Sequence, residues 1–136
     1  MKFRVNGKLL LSAEYSILRG AKALSVPTTF GQILEITPNS VGFLHWKSLD
    51  ENGKTWFEAD FSAEIGIRKT TNQNVATYLQ KLLKAAQKLN PNFHPSAANA
   101  TSTLEFNAQW GLGSSSTLVA LVALWADVNA LDLFFK

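Results

Sequence analysis

The sequence predicts an α+β domain in which a mixed or antiparallel sheet is covered on one face by helices. Much of the first two thirds of the chain reads as short strands in which apolar and polar residues alternate, as in half-buried strands. A segment with helical spacing follows from about Val75, and an Ala/Leu-rich run with helical character begins at Ser115. This order of strands, helix, strand and helix is typical of a two-layer α+β fold.

Composition favours one domain spanning residues 1–136. The chain has 136 residues, of which 46% are hydrophobic and 17% charged, and it contains no cysteine. This excludes disulfides and thiolate chemistry, and a cytoplasmic protein is expected. The net charge of +3 permits an anionic ligand without requiring nucleic acid. The longest apolar run, Leu118 to Ala126, is far shorter than the roughly 20 residues of a membrane span, so no membrane partner is expected.

The N-terminal region is predicted to form several short strands. Residues 2–5 alternate and indicate the first strand, and an Asn-Gly pair at 6–7 predicts a turn. A second strand is expected over residues 8–15. The stretches "ALSVPT" and "GQILEITP" predict two more, with Pro27 and Pro38 at strand edges or ends.

A hairpin is predicted where "VGFLHWKSL" and "KTWFEADFS" flank the four-residue loop "DENG". In its second arm Phe57, Ala59 and Phe61 should point to one face of the sheet, and Glu58 and Asp60 to the other.

Two helices and a strand complete the predicted domain. Apolar residues recur at helical spacing between Val75 and Leu89, with Asn72 or Asn74 as the cap and an Asn-Pro stop at 90–91. After a loop over "NPNFHPSAANAT", the stretch "TLEFNAQ" predicts a strand with Leu104, Phe106 and Ala108 facing inward. The last helix is expected to run from Ser115 to about Asp132 and to be mostly buried.

The segment "GLGSSST", between this strand and the last helix, predicts an anion site. Glycines let the backbone approach an anion, and the first turn of a helix offers free N–H groups and a partial positive charge. A turn with one capping serine would explain less, because four consecutive hydroxyl residues exceed what a cap needs. The segment lacks the Gly-Lys-Ser/Thr of a Walker A loop, and Ser116 stands where a dinucleotide fingerprint requires glycine.

A second motif lies near the start, in "NGKLLLSAEYSILRG". Lys8 and Glu14 could pair with each other or serve a phosphate and a metal. An ordinary surface ion pair would also account for them, so this motif is weak alone.

Together, "GKLLLSAEYSILRG" and "GLGSSS" resemble the two N-terminal motifs of the GHMP kinase superfamily, which includes mevalonate and phosphomevalonate kinases. The resemblance covers nearly the whole chain in order. It implies the ribosomal S5 domain 2-like fold of the N-terminal domain of these kinases. The sequence departs from the family at Asn6, Ala13 and Asn107, where Pro, Gly and Pro are common, which bears on the subfamily more than on the family.

The resemblance implies ATP-dependent phosphorylation of a hydroxyl or phosphate of a small metabolite, with ATP and Mg²⁺ bound. Ser115 would supply the hydroxyl linked to Mg²⁺, Lys8 would stabilise the transferred phosphoryl group, and Glu14 would hold Lys8 or a metal-bound water. The backbone N–H groups implied to hold the ATP phosphates belong to Gly111, Leu112, Gly113, Ser114, Ser115 and Ser116.

Members of this family are considerably longer, so the resemblance implies a nucleotide-binding N-terminal half whose C-terminal domain and catalytic aspartate lie beyond residue 136. Alone, such a half is expected to be inactive. The apolar end "LDLFF" would then pack against the absent half or promote self-association. In the simpler alternative, Phe134 and Phe135 fold into the core.

Two other functions remain open from the residues. The first is a non-catalytic nucleotide-binding or anion-binding module with the same loop. The second is an RNA-binding domain, ranked last, since it depends on fold analogy and a mild basic charge. The lysine stripe at 81, 84 and 88 carries no interleaved aromatic residue and is typical of a solvated helix face.

Overall fold

A six-stranded mixed sheet covered on one face by helices makes up the described part of the protein, which confirms the predicted α+β class. The structure is a computed structural model and describes residues 1–10, 25–106 and 114–134. The strands are β1 (Lys2–Leu10), β2 (Ser25–Pro38), β3 (Leu44–Leu49), β4 (Thr55–Phe61), β5 (Ile67–Thr70) and β6 (Ala98–Leu104). The helices are α1 (Gln73–Leu89), α2 (Ser114–Ala126) and α3 (Ala130–Phe134).

The strands are ordered β1-β2-β6-β3-β4-β5 across the sheet. Four of the five neighbouring pairs are antiparallel, and only β3 and β6 run parallel. Parallel neighbours need a long crossover, which here contains β4, β5 and α1. The late strand β6 is thereby inserted at the centre of the sheet, between β2 and β3.

β1 is one strand, so the turn predicted at Asn6-Gly7 is wrong. Pairing with β2 continues through an irregularity between Asn6 and Lys8, whose partners are Gly31 and Pro27. The pairing register shifts at this irregularity and then continues, because a strand can bend at a bulge without ending when its partner is long. Of the strand expected over residues 8–15, the first three residues belong to β1 and residues 11–15 lie outside the described part.

β2 likewise replaces the two short strands that were predicted, and spans 14 residues. Pro38 is its last residue, as expected. Pro27 lies inside the strand, next to the shifted register where a missing N–H is tolerated.

The hairpin is confirmed: β3 and β4 pair from Leu44 opposite Phe61. Asp50 closes the turn by accepting backbone N–H bonds from Asn52 and Lys54 at 2.9 Å each. The side chains of Phe57, Ala59 and Phe61 are buried, as expected from the alternation. β5 was not predicted, since it has only four residues and two of them are exposed.

α1 is confirmed with Asn72 as its cap. The Asn72 side chain accepts from the N–H groups of Asn74 and Val75 at 3.0 and 3.2 Å. The helix ends before Asn90. Its buried face consists of Ala76, Leu79, Leu82, Leu83 and Ala86.

β6 begins at Ala98 and ends at Leu104, several residues earlier than the predicted strand at both ends. Alternate residues from Ala98 to Leu104 are buried, but small side chains such as Ala100 and Ser102 give little hydropathy signal. Phe106 is buried as expected, although it follows the strand. Ala108 lies outside the described residues.

The single long C-terminal helix that was predicted is interrupted. Asp127 adopts a positive φ of 57° and ends α2. Asn129 then caps α3, because its Oδ1 accepts from the N–H groups of Leu131 and Asp132 at 2.8 and 3.3 Å. Whether the C-terminal phenylalanines pack in the core stays a prediction, since the Phe134 side chain and Phe135 lie outside the described part.

The core lies between the helices and one face of the sheet. Its largest fully buried side chains include Trp46, Phe57, Phe61, Leu34, Leu79, Leu83 and Leu121. The opposite face, called here the open face, carries polar residues that alternate with the core positions. Within the described residues, no helix combines the length and apolar character that crossing a bilayer requires.

Candidate functional site

The elements that carry the described parts of the two motifs, β1 and α2, contact each other. Lys8 belongs to β1, and its backbone pairs with Pro27 of β2. α2 packs on both β1 and β2. The strand that bears Lys8 and the helix that begins with the serines are therefore in direct contact. The Lys8 side chain and the whole of Glu14 lie outside what the structure describes, so their expected pairing is untested.

The serine run occupies the beginning of α2, as predicted. The helix starts at Ser114, so the backbone of Ser114, Ser115 and Ser116 forms its first turn. The first N–H groups of a helix have no partner within it and carry a partial positive charge. Gly111, Leu112 and Gly113 lie outside the described residues, as do the three serine side chains, so the predicted Mg²⁺ contact of Ser115 stays a prediction.

Thr117 connects the start of α2 to the sheet. Its Oγ1 donates to Oε1 of Gln32 in β2 at 2.6 Å. Both residues are buried, with exposed fractions of 3% for Thr117 and 5% for Gln32. Breaking this bond would leave the buried amide oxygen without that donor, so the bond holds the first two turns of α2 firmly against β2.

A cleft of about 330 Å³ lies beside this connection. Aromatic and aliphatic side chains make most of its wall, and Trp56 and Tyr78 are about half exposed at 50% and 46%. A few polar groups converge on it. The lining residues are Gln32, Trp46, Ser48, Trp56, Phe57, Asn74, Val75, Tyr78, Leu79, Ser102, Leu104 and Leu118.

The floor of the cleft is fixed by hydrogen bonds across the sheet. Trp46 Nε1 donates to Ser48 Oγ at 2.9 Å, and Ser102 Oγ donates to the same oxygen at 3.0 Å. Among the described residues, no buried side-chain nitrogen or oxygen lacks a partner. A largely apolar cleft with a few fixed polar groups is typical of sites for small molecules.

On the open face, Glu105 joins three strands. Its Oε1 accepts from Arg4 Nη2 at 2.6 Å and from the Gly31 N–H at 2.7 Å, and its Oε2 accepts from Arg4 Nε at 3.3 Å. The Arg4 hydrogen bonds, helped by the Gly31 N–H and opposed by partial burial, lower the pKa of the Glu105 carboxyl. The same pairing raises the pKa of Arg4. In the sequence, Glu105 comes just before residues 107–113.

A second polar concavity, of about 200 Å³, lies on the open face over β3, β4 and β5. His45 Nδ1 is 2.5 Å from Asp60 Oδ1, and His45 Nε2 is 3.6 Å from Glu58 Oε2. Within the described ranges, no three acidic or histidine side chains are arranged to hold a metal ion.

Sequence reasoning missed Gln32, Thr117, Glu105 and the aromatic walls of the cleft. Thr117 was noticed only as the last of four hydroxyl residues. A buried glutamine inside an apolar strand, as in "GQILEI", was the available signal, because a buried amide requires a partner.

Of the comparisons with known proteins, only the one with solved structures gives matches. No protein-family model matches the sequence, and no curated protein is significantly similar to it. Among solved structures, the mevalonate kinase of Methanococcus jannaschii matches 93% of this chain with a TM-score of 0.68 and 16% identity. A second mevalonate kinase matches 95% with a TM-score of 0.67 and 13% identity.

The phosphomevalonate kinase of Streptococcus pneumoniae, solved with phosphomevalonate and AMPPNP, matches 95% of this chain with a TM-score of 0.60 and 17% identity. The chain spans only 39%, 41% and 38% of the lengths of these three structures. At such low identity the likeness shows the fold alone, and that fold is shared with part of each of these three kinases.

Proposed function

We propose that this chain is the nucleotide-binding part of a GHMP-type kinase, which transfers a phosphoryl group from Mg-ATP to a hydroxyl or phosphate of a small metabolite. Mevalonate and phosphomevalonate are the first acceptors to consider. The observation that carries the proposal is the Thr117–Gln32 bond, because it fixes the serine-rich start of α2 beside an aromatic cleft.

The phosphates of ATP would bind at the start of α2. The backbone N–H groups of Gly111 to Ser116 are proposed to hold them, and the N-terminal end of the helix dipole favours their charge. Ser115 would contribute its hydroxyl to Mg²⁺. In support, α2 begins at Ser114 and packs on the strand that bears Lys8.

The base and ribose of the nucleotide would occupy the aromatic cleft. Its volume of about 330 Å³ falls within the usual range of small-molecule pockets. Trp56 and Tyr78 are half-exposed aromatic residues on which a flat base could stack, and Asn74 offers an amide for its polar edge. Because Leu118 of α2 also lines the cleft, base and phosphates would lie on adjacent parts of one surface.

The chemistry proposed for these residues is mainly electrostatic. Phosphoryl transfer depends on positioning and on neutralising the charge that develops on the transferred group. Bound Mg²⁺ would neutralise part of the phosphate charge. The Lys8 ammonium group is proposed to stabilise the transferred group, and Glu14 to orient Lys8. The acceptor and the whole reaction remain proposals, since the chain spans about two fifths of the kinases it resembles.

Nucleotide binding by the 136-residue chain tests the proposal directly. Isothermal titration with AMPPNP and Mg²⁺ should give saturable binding at one site per chain. Ser115→Ala should weaken binding when Mg²⁺ is present and have little effect in EDTA, whereas Trp56→Ala should weaken adenosine and AMPPNP alike. Absence of AMPPNP binding by the unaltered chain would overturn the proposal.

The alternatives predict different results. A non-catalytic module would bind AMPPNP, but the full-length protein would transfer no phosphoryl group to any acceptor. No described feature specifically favours RNA binding, because the open face carries Glu35, Glu58, Asp60 and Glu105 beside its basic residues.

A further inference from the structure

We infer that Gly31 and Gln32 of β2 are positioning residues that fix the two parts of the proposed phosphate site relative to each other. The two parts are the Lys8 segment of β1 and the first turn of α2. This inference rests on the proposed function. The residues that align the two parts of the site belong to neither sequence motif.

Gly31 fixes the strands that lead into both motifs. It lies opposite Asn6 of β1, shortly before Lys8. On its other side its N–H donates to Glu105 Oε1 at 2.7 Å and its carbonyl accepts from the Glu105 N–H at 2.9 Å. A Cβ at this position would lie 2.3 Å from the Val5 carbonyl oxygen, so only glycine allows β1 this close.

Gln32 fixes α2 from the helix side of the sheet. Its Oε1 accepts from Thr117, which is the fourth residue of the helix. An α-helix turns by a fixed angle and rises 1.5 Å per residue, so holding Thr117 sets the rotation and height of the first-turn N–H groups. Adjacent residues of β2 thus hold one motif strand on one side and the motif helix on the other.

The Thr117–Gln32 bond has a role that apolar packing cannot supply. The other described α2 residues buried in the core are apolar: Val119, Leu121, Val122, Ala123 and Ala126. Apolar contacts are non-directional and permit small rotations or shifts of a helix. A buried hydrogen bond of 2.6 Å is directional, so it selects one placement of α2 among those that bury similar apolar area.

The decisive variant is Thr117→Val, which keeps the shape of the side chain and removes the hydroxyl donor. Thr117→Ser restores the donor and is the rescue variant. Asn90→Ala is the matched control, because Asn90 Nδ2 donates to the Ala126 carbonyl at 2.7 Å and so holds the opposite end of the same helix. All variants are compared in the 136-residue chain at a temperature at which each is folded.

Two probes separate the phosphate site from the cleft: tripolyphosphate and adenosine, each measured by isothermal titration. We expect Thr117→Val to bind tripolyphosphate about tenfold more weakly, with adenosine affinity within twofold of the unaltered chain. Thr117→Ser should recover most of the tripolyphosphate affinity. Asn90→Ala should lower the unfolding midpoint without changing affinity for tripolyphosphate.

The outcomes distinguish this inference from the proposed function. If the unaltered chain binds neither tripolyphosphate nor ATP, the proposed function fails and the inference fails with it. If the unaltered chain binds them and Thr117→Val binds them equally well, the inference alone is wrong. Should Thr117→Val not fold, Thr117→Ala removes the same donor at a residue that does not line the cleft, and it is judged by the same two affinities.

Discussion

Glu105 shows how one side chain can join strands that are not neighbours. Its carboxylate accepts hydrogen bonds from Arg4 of β1 and from the Gly31 N–H of β2, and Glu105 itself directly follows β6. Isolated surface ion pairs contribute little to stability, since water and salt screen them. Here a backbone N–H is satisfied by the same carboxylate, so the interaction also depends on the register of the sheet.

The lowered pKa of Glu105 predicts a pH-dependent contribution to stability. The folded protein binds the proton less tightly than the unfolded chain, so the contribution is complete above the unfolded pKa of about 4.3 and is lost as pH falls through the folded pKa. Glu105→Gln should therefore be less stable than the unaltered chain at pH 7, and the difference should shrink below about pH 4.

Urea unfolding of both proteins at pH 7, 5, 4 and 3 measures this difference. Glu35→Gln is a suitable control, because Glu35 is an exposed carboxylate on the same open face. A difference between Glu105→Gln and the unaltered chain that stays constant over this pH range would contradict the assignment.

At the scale of elements, the spacing of β1 and β2 depends on glycine. We expect Gly31→Ala to destabilise the fold by about 2 kcal/mol, because a Cβ 2.3 Å from the Val5 carbonyl oxygen forces the strands apart. Chemical denaturation measures the change in the free energy of unfolding. Gly66→Ala is the matched control: its Cβ would meet only the Ser62 hydroxyl at 3.0 Å, and it should cost clearly less. Equal losses would contradict this account.

Elements with strong amphipathic patterns were predictable from the sequence. The β3–β4 hairpin was predicted correctly because Phe57 and Phe61 mark one face of β4 with large side chains. α1 was predicted correctly because Leu79 and Leu83 mark one face of the helix in the same way. β5 escaped prediction because its pairing with β4, rather than its own composition, makes it a strand. The end of α2 depends on the positive φ of Asp127, which the local sequence does not signal.

The candidate site was predictable only in its local parts. The start of α2 followed from glycines and hydroxyl residues that are adjacent in sequence. The partners that hold it are distant: Gln32 and Thr117 are separated by 85 positions, and Gly31 and Glu105 by 74. Such pairs become visible only when the strand order is known, and the insertion of β6 beside β2 was not predictable from periodicity.

At the scale of the whole described structure, the two faces of the sheet differ in character. The helices bury one face, where the aromatic cleft also opens, whereas the other face carries polar pairs such as Arg4–Glu105 and His45–Asp60. The proposed nucleotide site therefore lies at the margin of the core. Its walls include residues such as Trp46 and Leu79 that also stabilise the fold, so changes in the cleft need a stability measurement beside any affinity.

The position of the core predicts very different losses of stability for the same substitution in two helices. Leu83 of α1 is fully buried at 0% exposure, while Leu124 of α2 is 51% exposed. Leu83→Ala should cost about 3 kcal/mol, since it removes transfer free energy and leaves a cavity under the sheet. Leu124→Ala should change the free energy of unfolding by less than about 0.5 kcal/mol, because it removes a mostly solvated side chain. Urea titrations followed by far-ultraviolet circular dichroism give both values. A large loss in Leu124→Ala would show that this exposed leucine has a packing partner, and a small loss in Leu83→Ala would place the core elsewhere.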